Sequence, residues 1–428
     1  MPNSTRKLRS ISKNWALFNN LGFSFTMADN KKNNRPNVPP LRFPEFTEPW
    51  VNSTIGDSFE LYSGNTPSRL EKEQFAGDIN WITSGELKNH YILKTNETIT
   101  KEAAENNNLR LLPIGTFVIA IYGLEADGVR STGSITSELS TISQACMAFL
   151  PKRDISNEFL YSWYMKHGNT IGLRYAQGTK QQNLSYDIIE KFRITYPLKA
   201  EQQKLEYFIG LLDHRIAVQS KLIEQLESLI KGITLQASKS SDCESVLLSD
   251  ILTERNEVNT AQHEVCSVSV SQGVVNQVEY LGRSFAAKDI SHYNVVHYGD
   301  IIYTKSPTGD FPYGIVKRSH QKNLVAVSPL YGVYIPASND IGCFLHYYFC
   351  NAVSAKNYLH KLIQKGAKNT INITNQRFLE NTINLPKTEK LAQVAALLNC
   401  LSAKKQQVEN LLVLFNKQKQ FFLNQMFI

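Results

Sequence analysis

Apolar residues recur at alternating intervals of four and three along two long stretches of the chain. The first begins near Glu201 and the second near Glu389. The apolar positions are Leu205, Ile209, Leu212, Ile216, Ile223, Leu226 and Ile230 in the first, and Leu391, Val394, Leu398, Leu401, Val408, Leu412 and Phe415 in the second. Because this spacing is typical of coiled coils, it predicts two long helices, over residues 200–239 and 388–428. At 1.5 Å per residue each would be roughly 55 Å long.

Three polar residues occupy positions in these apolar seams: Gln219, Lys405 and Lys419. Isolated polar residues in a coiled-coil seam commonly set the register of the helices, although a gap or a partner subunit also accounts for them. We expect the two helices to pack on each other as an antiparallel coiled coil, with one globular lobe at each end. The alternative is that each helix belongs to a separate core.

The segments before the two helices repeat each other. Gly115 and Gly299 are turn glycines that each precede an apolar strand, and they lie 184 residues apart. The matched segments are 112–121 with 296–304, 143–151 with 328–336, the helical stretches 158–174 with 341–363, the polar glycine loops 177–183 with 365–370, and two short strands that end at Pro197 and Pro386. The chain is therefore interpreted as one tandem repeat.

This repeat predicts an α+β fold with two globular domains in a pseudo-twofold tandem, joined by the two long helices. The predicted segments are a disordered leader over 1–40, a first domain over 41–199, a first helix over 200–239, a second domain over 240–387 and a second helix over 388–428. At 428 residues, the chain is long enough for two cores.

Charge adds little to this picture. The net charge is +8, but Arg6, Lys7, Arg9, Lys13, Lys31, Lys32 and Arg35 of the leader, opposed by Asp29 alone, account for most of it. Composition predicts no membrane span, and the six cysteines, without any C-x-x-C pair, indicate reduced thiols and a cytoplasmic protein. Cys343, His346, Cys350 and His360 have a metal-like spacing, for which core packing within a helix is the favoured interpretation.

Catalytic motifs are absent from the sequence. It contains no Gly-Lys dipeptide, hence no phosphate-binding P-loop, and no H-E-x-x-H. Asp78, Glu86 and Lys88 resemble the two acids and one lysine of metal-dependent nucleases, but such short charged sets are common. We therefore expect no catalytic residue, no bound metal and no cofactor on this chain.

Several motifs in order resemble the DNA-specificity subunit of type I restriction-modification systems. They are Pro40-Leu-Arg-Phe-Pro-Glu-Phe46 with Trp50, Leu61-Tyr-Ser-Gly-Asn-Thr-Pro-Ser68, Gly77-Asp-Ile-Asn-Trp-Ile82, Gly178-Thr-Lys-Gln-Gln-Asn-Leu-Ser185, and Pro197 with Glu201-Gln-Gln203. The second half departs from this pattern, because residues 248–256 replace the G-x-T-P-S motif and Glu389-Lys390 replaces the glutamate-glutamine pair. The two halves should therefore recognise different half-targets.

The resemblance implies two target-recognition domains that each bind one half of a split double-stranded DNA target, held apart by the paired helices. It implies as partners two modification subunits, which carry adenine methyltransferase chemistry and S-adenosylmethionine, with restriction subunits as a further class of partner. Specificity over a split site is physically reasonable, since half-sites one helical turn apart lie on the same side of the duplex.

Candidate DNA contacts are polar residues in predicted loops, because forked donors and acceptors recognise base edges while cations contact phosphates. In the first domain they are Thr66, Ser68, Arg69, Tyr122, Arg130, Lys180, Gln181, Gln182 and Asn183. In the second they are Arg283, Lys305, Lys317, Arg318, Lys365, Lys368, Asn369 and Thr370. Two other interpretations stay open: a coiled-coil adaptor whose lobes bind proteins, and a metal nuclease that uses Asp78 and Glu86.

Overall fold

The computed structural model describes residues 23–27, 37–126, 128–283, 286–365 and 371–428. The chain divides into two compact units. The first unit comprises the described residues up to Ala217 together with Val413–Ile428, and the second comprises Val218–Leu412. This division differs from the predicted one, because each long helix is shared: one half belongs to the first unit and the other half to the second.

The first unit is built around a five-stranded sheet. Its strands are β1 Thr26–Met27, β2 Leu41–Arg42, β3 Val51–Thr54, β4 Phe59–Ser63, β5 Ile79–Ile82, β6 Tyr91–Ile92, β7 Thr98–Ile99, β8 Phe117–Ala120, β9 Gly133–Thr136, β10 Ser140–Ile142, β11 Cys146–Pro151 and β12 Arg193–Tyr196. Its helices are α1 Ile55–Ser58, α2 Lys101–Asn106, α3 Asn157–Tyr175, α4 Tyr186–Ile189 and the start of α5 Lys199–Ser238, with 3₁₀ turns at Lys72–Phe75 and Ser84–Glu86. The central sheet has the order β4-β11-β8-β9-β6, and α3 packs on it. A three-stranded sheet, β10-β5-β7, has a small core of its own around Trp81.

The second unit repeats much of this order. Its strands are β13 Cys243–Leu247, β14 Leu252–Glu254, β15 Cys266–Ser269, β16 Gly273–Asn276, β17 Asn294–Val296, β18 Ile301–Thr304, β19 Ile315–Arg318, β20 Val325–Val327, β21 Gly332–Pro336, β22 Gln364–Lys365, β23 Ile371–Asn372 and β24 Thr382–Pro386. Its helices are α6 Leu248–Ile251, α7 Gln277–Leu281, α8 Asn339–Cys350, α9 Ala352–His360, α10 Asn375–Phe378 and α11 Thr388–Met426. The main sheet has the order β14-β21-β18-β19, so these four strands take the places of β4, β11, β8 and β9.

The backbone of the predicted turn glycines supports the repeat. Gly115 and Gly299 both have left-handed backbones, with φ of +83° and +93°. Each ends the turn that leads into a fully buried strand, β8 or β18. Because residues other than glycine rarely adopt this conformation, the two turns share a specific geometric requirement. The tandem α+β architecture predicted from the sequence is confirmed.

Two local expectations are corrected. The predicted helix over 341–363 is divided into α8 and α9 at Asn351, whose side chain accepts hydrogen bonds from the backbone of Val353 and Ser354 and thereby caps α9. The predicted leader is also partly ordered: Phe23 is buried, and its ring lies 5.1 Å from that of Phe208. Of the rest of the leader, only residues 24–27 and 37–40 lie within the described part of the chain.

The long helices run antiparallel within the first unit and also contact each other within the second. In the first unit, the rings of Phe208 and Phe422 lie 4.8 Å apart, and Lys419 Nζ lies 2.5 Å from Asp213 Oδ1. In the second unit, Lys405 Nζ lies 2.7 Å from Glu227 Oε1. Every predicted seam residue is buried or half-buried. Both predicted seam lysines therefore contact an acid on the other helix; one continuous coiled coil over their full length stays a prediction.

Candidate nucleic-acid interface

Two of the predicted DNA-contacting segments of the first unit lie side by side. The glycine loop 177–183 is closed by a backbone bridge between Gln177 and Asn183. It is joined to the loop after β8 by hydrogen bonds from Leu184 N to Ile121 O (2.8 Å) and from Leu124 N to Gln182 O (2.9 Å). One surface therefore combines residues from positions about 60 apart in sequence.

Glycine is required at the start of this loop. Gly178 has φ of +115°, and a Cβ atom there would lie 1.9 Å from the carbonyl oxygen of Gln181. The tight turn leaves Lys180 and Gln181 exposed at its tip, whereas Gln182 and Asn183 are half-buried. The tip therefore offers one cation and one amide to a ligand, and an amide can pair bidentately with adenine.

Gln182 and Asn183 connect the glycine loop to the loop after β8 through their side chains. Arg130 Nη2 donates to Gln182 Oε1 at 3.2 Å, and Asn183 Oδ1 accepts from Gly123 N at 3.4 Å. Arg130 is half-buried because its side chain crosses α3 at Gly172, where a Cβ atom would lie 2.7 Å from Arg130 Cγ. Tyr122 stands beside these residues with 38% of its surface exposed.

The other predicted contacts of the first unit, Thr66, Ser68 and Arg69, lie in a separate loop after β4. This loop packs on the three-stranded sheet, where Trp81 Nε1 donates to Asn65 O at 3.2 Å. Arg69 is exposed but makes a bidentate pair with Glu97 at 2.5 and 2.9 Å, and its hydrogen bond lowers the pKa of that carboxyl. Its guanidinium also covers the Phe75 ring at 4.6 Å. To contact DNA, Arg69 would have to exchange or share Glu97.

In the second unit, the predicted contacts are distributed unevenly. Lys305 is half-buried in the loop between β18 and β19, the place that Tyr122 and Arg130 occupy between β8 and β9. Arg283 is exposed after α7. Lys365 is the last residue of β22, and Lys368, Asn369 and Thr370 lie outside the described residues.

Lys317 and Arg318 correct the sequence-based expectation. They are only 5% and 3% exposed, because β19 is buried along its whole length. Lys317 Nζ donates to Cys350 Sγ at 3.1 Å, and Arg318 donates to Asn339 Oδ1. Arg318 N also donates to His346 Nδ1 at 3.2 Å. Both cations therefore support the interior of the unit and do not present a surface to phosphate.

The other candidate chemistry has structural explanations. Glu86 completes a capping box with Thr83, and its second oxygen accepts from Asn96 N at 2.5 Å, so both carboxylate oxygens are occupied by the 3₁₀ turn and its neighbour. Asp78 is exposed. Of the metal-like set, Cys343 lies in the core and donates to Asn399 Oδ1 at 3.2 Å, and no group of three or more metal-ligating side chains occurs among the described residues.

Sequence reasoning missed a polar network where the first unit meets the long helices. The His90 ring lies between those of Tyr91 and Tyr161, at centroid distances of 4.2 and 4.0 Å and nearly parallel to both. Its Nε2 lies 2.8 Å from Glu158 Oε2 and its Nδ1 3.7 Å from Asp213 Oδ2. The three segments that supply these residues, 90–91, 158–161 and the region of Asp213, are far apart in sequence, and their spacing contains no signal that could have grouped them.

Residues 47–228 match the family described as type I restriction modification DNA specificity domain. This segment, which is less than half of the chain, is similar to a type I DNA specificity domain. A curated relative, the MjaIX specificity subunit of Methanocaldococcus jannaschii, is 29% identical over 187 residues, which is 42% of this chain and 41% of that protein. The EcoR124I/EcoR124II specificity subunit of Escherichia coli is 27% identical over 176 residues, 40% of this chain and 43% of that protein.

The match thus spans about two fifths of the length of these curated relatives. Among solved structures, the S subunit of a type I system from M. genitalium has a TM-score of 0.58 at 14% identity and covers 91% of this chain and 99% of its own. That likeness extends the shared fold from the specificity domain to nearly the whole chain. The resemblance predicted from the sequence motifs is confirmed.

The structure explains two of the motifs identified in the sequence. Arg42 of the Pro-Leu-Arg-Phe segment forms a buried bidentate ion pair with Glu201, at 2.7 Å from Nε to Oε1 and 2.6 Å from Nη2 to Oε2. Gln202 Nε2 donates to Pro197 O at 2.8 Å, and its Oε1 accepts from Ser156 N at 2.9 Å. The glutamate-glutamine motif therefore attaches the globular part of the first unit to the start of α5. No helix in the described part of the chain has the length and apolarity needed to cross a membrane.

Proposed function

We propose that this chain recognises a bipartite target in double-stranded DNA, each unit binding one half-target, as the specificity subunit of a type I restriction-modification complex. The specificity-domain match over residues 47–228 carries the proposal. It is supported by the repetition of the same strand order in the second unit and by the exposed Lys180 and Gln181 beside the β8 loop. Different loops in the two units imply different half-targets.

The same proposal assigns catalysis to other chains. Two modification subunits would bring S-adenosylmethionine and methylate adenine, and restriction subunits would join them. This chain would act in the cytoplasm, where its DNA target is present and where its six cysteines stay reduced. We expect the isolated protein neither to methylate nor to cut DNA. Glu86, the most nuclease-like residue, is already occupied by the hydrogen bonds of its own turn.

Domain exchange tests the modular part of the proposal. The chain, with residues 41–197 replaced by the matching lobe of another specificity subunit, is combined with methyltransferase subunits, and methylated adenines are mapped across a genome. We expect one half of the target to change and the other to remain. A change in both halves, or in neither, would contradict the proposal.

Salt dependence separates a DNA-binding subunit from a protein adaptor. If phosphates are neutralised, the logarithm of affinity for duplex DNA falls linearly with the logarithm of salt concentration. Lys180→Ala should reduce that slope by about one for a phosphate contact. Exposed Lys101, on α2 and not part of the loop, provides a matched Lys→Ala control that should leave the slope unchanged. An affinity independent of salt would favour the adaptor.

Helix length tests the spacing role of α5 and α11. A matched seven-residue insertion in both helices preserves the apolar seam and adds roughly 10 Å to each. We expect the permitted gap between the half-targets to lengthen. An unchanged gap would show that the helices do not set the spacing.

A further inference from the structure

A surface groove of about 610 Å³ lies in the first unit beside α3. One wall is a single face of that helix, with Trp163, His167 and Arg174, and the other is the segment from Asp187 to Arg193. Its volume is within the range of small-molecule binding sites. Nothing in the proposed function uses this groove.

The groove combines unpaired cations with exposed aromatic surface. Arg174, Lys191 and Arg193 are exposed and line it, and none of the three forms an ion pair with a described residue. Asp187 is the acidic residue in the lining. Three cations facing one acid give a local excess of positive charge, which favours an anionic ligand.

Aromatic rings occur in both walls of the groove. Tyr175 is 46% exposed, and its ring lies 5.1 Å from that of half-buried Phe192. Trp163 closes the bottom of the groove at 5% exposure. Nucleic-acid bases stack on exposed aromatic rings, and phosphates bind neighbouring cations.

The groove faces away from the candidate DNA surface. Arg174 lines the groove, whereas Gly172 faces Arg130 under the glycine loop. Two residues correspond to about 200° of rotation around a helix, so the two side chains point to nearly opposite sides of α3. A ligand in the groove and a duplex at the glycine loop would therefore not compete for the same residues.

We propose that this groove binds a nucleoside phosphate, with the base against Tyr175 and the phosphates on Arg174, Lys191 and Arg193. The shared chemistry is a base carrying a flexible phosphate chain. It could be supplied by a free nucleotide or by an unpaired nucleotide at the end of a strand.

Calorimetric titration of the full chain with ATP tests the proposal. We expect saturable binding that Arg193→Ala weakens about tenfold, because one charge-assisted hydrogen bond to phosphate is lost. Arg153, exposed and outside the groove, provides the matched Arg→Ala control that should bind ATP as the natural chain does. Absence of saturable binding, or equal affinities for the two variants, would overturn the proposal.

Two further titrations define the ligand and separate this proposal from the proposed function. Inorganic triphosphate should bind more weakly than ATP, and Tyr175→Ala should weaken only ATP; equal binding of both would refute the role of the base. If a short single-stranded oligonucleotide displaces ATP, the natural ligand is a nucleotide at the end of a strand. If it does not displace ATP, the natural ligand is a free nucleotide. Loss of duplex binding in Arg193→Ala without any ATP binding would make the groove part of the DNA interface and end the proposal, leaving the proposed function intact.

Discussion

The main sheets of the two units share a strand order, but the polar contacts between the globular part and the long helices differ. In the first, the buried Arg42–Glu201 pair connects β2 to the first turn of α5. In the second, the equivalent Glu389 and Lys390 are exposed, and half-buried Arg255 instead pairs with buried Asp300, at 2.8 Å within the globular part. A repeated fold therefore does not require repeated polar contacts, because apolar strands can preserve the architecture while ion pairs move.

The largest expected difference concerns these ion pairs. Glu201→Ala leaves the Arg42 guanidinium buried without its counter-ion, which should cost about 3–5 kcal/mol. Glu389→Ala, its counterpart at the start of α11, should cost almost nothing because that side chain is exposed. Urea unfolding followed by circular dichroism measures both. Similar losses for the two variants would show that the units do not differ in this respect.

The next largest effect on stability is expected at Gly64, which follows β4 in the Leu61–Ser68 motif. A Cβ atom at Gly64 would lie 1.7 Å from the carbonyl oxygen of Ile142, so Gly64→Ala forces β4 and β10 apart. We expect a loss of about 1–3 kcal/mol in unfolding free energy. Gly85→Ala is the control, since its nearest neighbour, Thr83 Oγ1, is 3.9 Å from the new Cβ atom. A tolerated Gly64→Ala would mean that the loop is not held as tightly as its geometry indicates.

Acid should weaken the second unit more than the first. Burial, with His346 and Arg318 nearby, lowers the pKa of His320 to about 4, and burial with Lys317 and Arg318 lowers that of His346 to about 3. Between these values and the usual 6.5, the unfolded chain binds more protons, so stability falls as pH decreases below 6.5. For His346 alone the loss at pH 5 is about 2 kcal/mol.

Amide hydrogen exchange measures this acid-induced loss of stability separately in each unit. Protection in β18 and β19 should decrease between pH 7 and pH 5 more than protection in β8 and β9. In the first unit, burial and neighbouring Lys166 also lower the pKa of His167, which is half-buried, so a smaller decrease is expected there. His346→Asn should remove much of the difference between the units. Equal decreases in both would contradict the assignment to these histidines.

The seam lysines give the smallest contrast. Lys419 and Asp213 are 16% and 21% exposed, whereas Lys405 and Glu227 are 27% and 55% exposed. Lys419→Met leaves Asp213 half-buried next to His90 and should cost about 1–2 kcal/mol. Lys405→Met should cost less than about 1 kcal/mol, since water screens the more exposed pair. Thermal unfolding midpoints rank the two, and a larger shift for Lys405→Met would reverse the comparison.

The features that could be predicted from the sequence are those that repeat or have a period. The seam of α5 and α11 follows from the spacing of apolar residues, and the turns at Gly115 and Gly299 follow from glycine before an apolar run. The contact between the loop after β8 and the loop 177–183 could not be predicted, because its residues are separated by three strands and a helix.

Charge was the least reliable guide. Lys317 and Arg318 have the composition of a surface segment, yet β19 is covered on both faces and α8 supplies their partners. Arg42 and Glu201 are 159 positions apart, so the pair is invisible without the fold. Phe23 and Phe25 lie in a polar leader, and their burial depends on aromatic neighbours from α5 and α11.

The placement of the two seam lysines restricts how such a chain can change length. Lys405 and Lys419 are two heptads apart, as are their acidic partners Glu227 and Asp213. A slip by one heptad would place Lys405 against Ser220 or Thr234, which carry no charge. An insertion or deletion between the paired positions of one helix alone would thus keep at most one pair aligned, whereas coordinated changes in α5 and α11 would keep both. New spacings should arise in nature through paired indels.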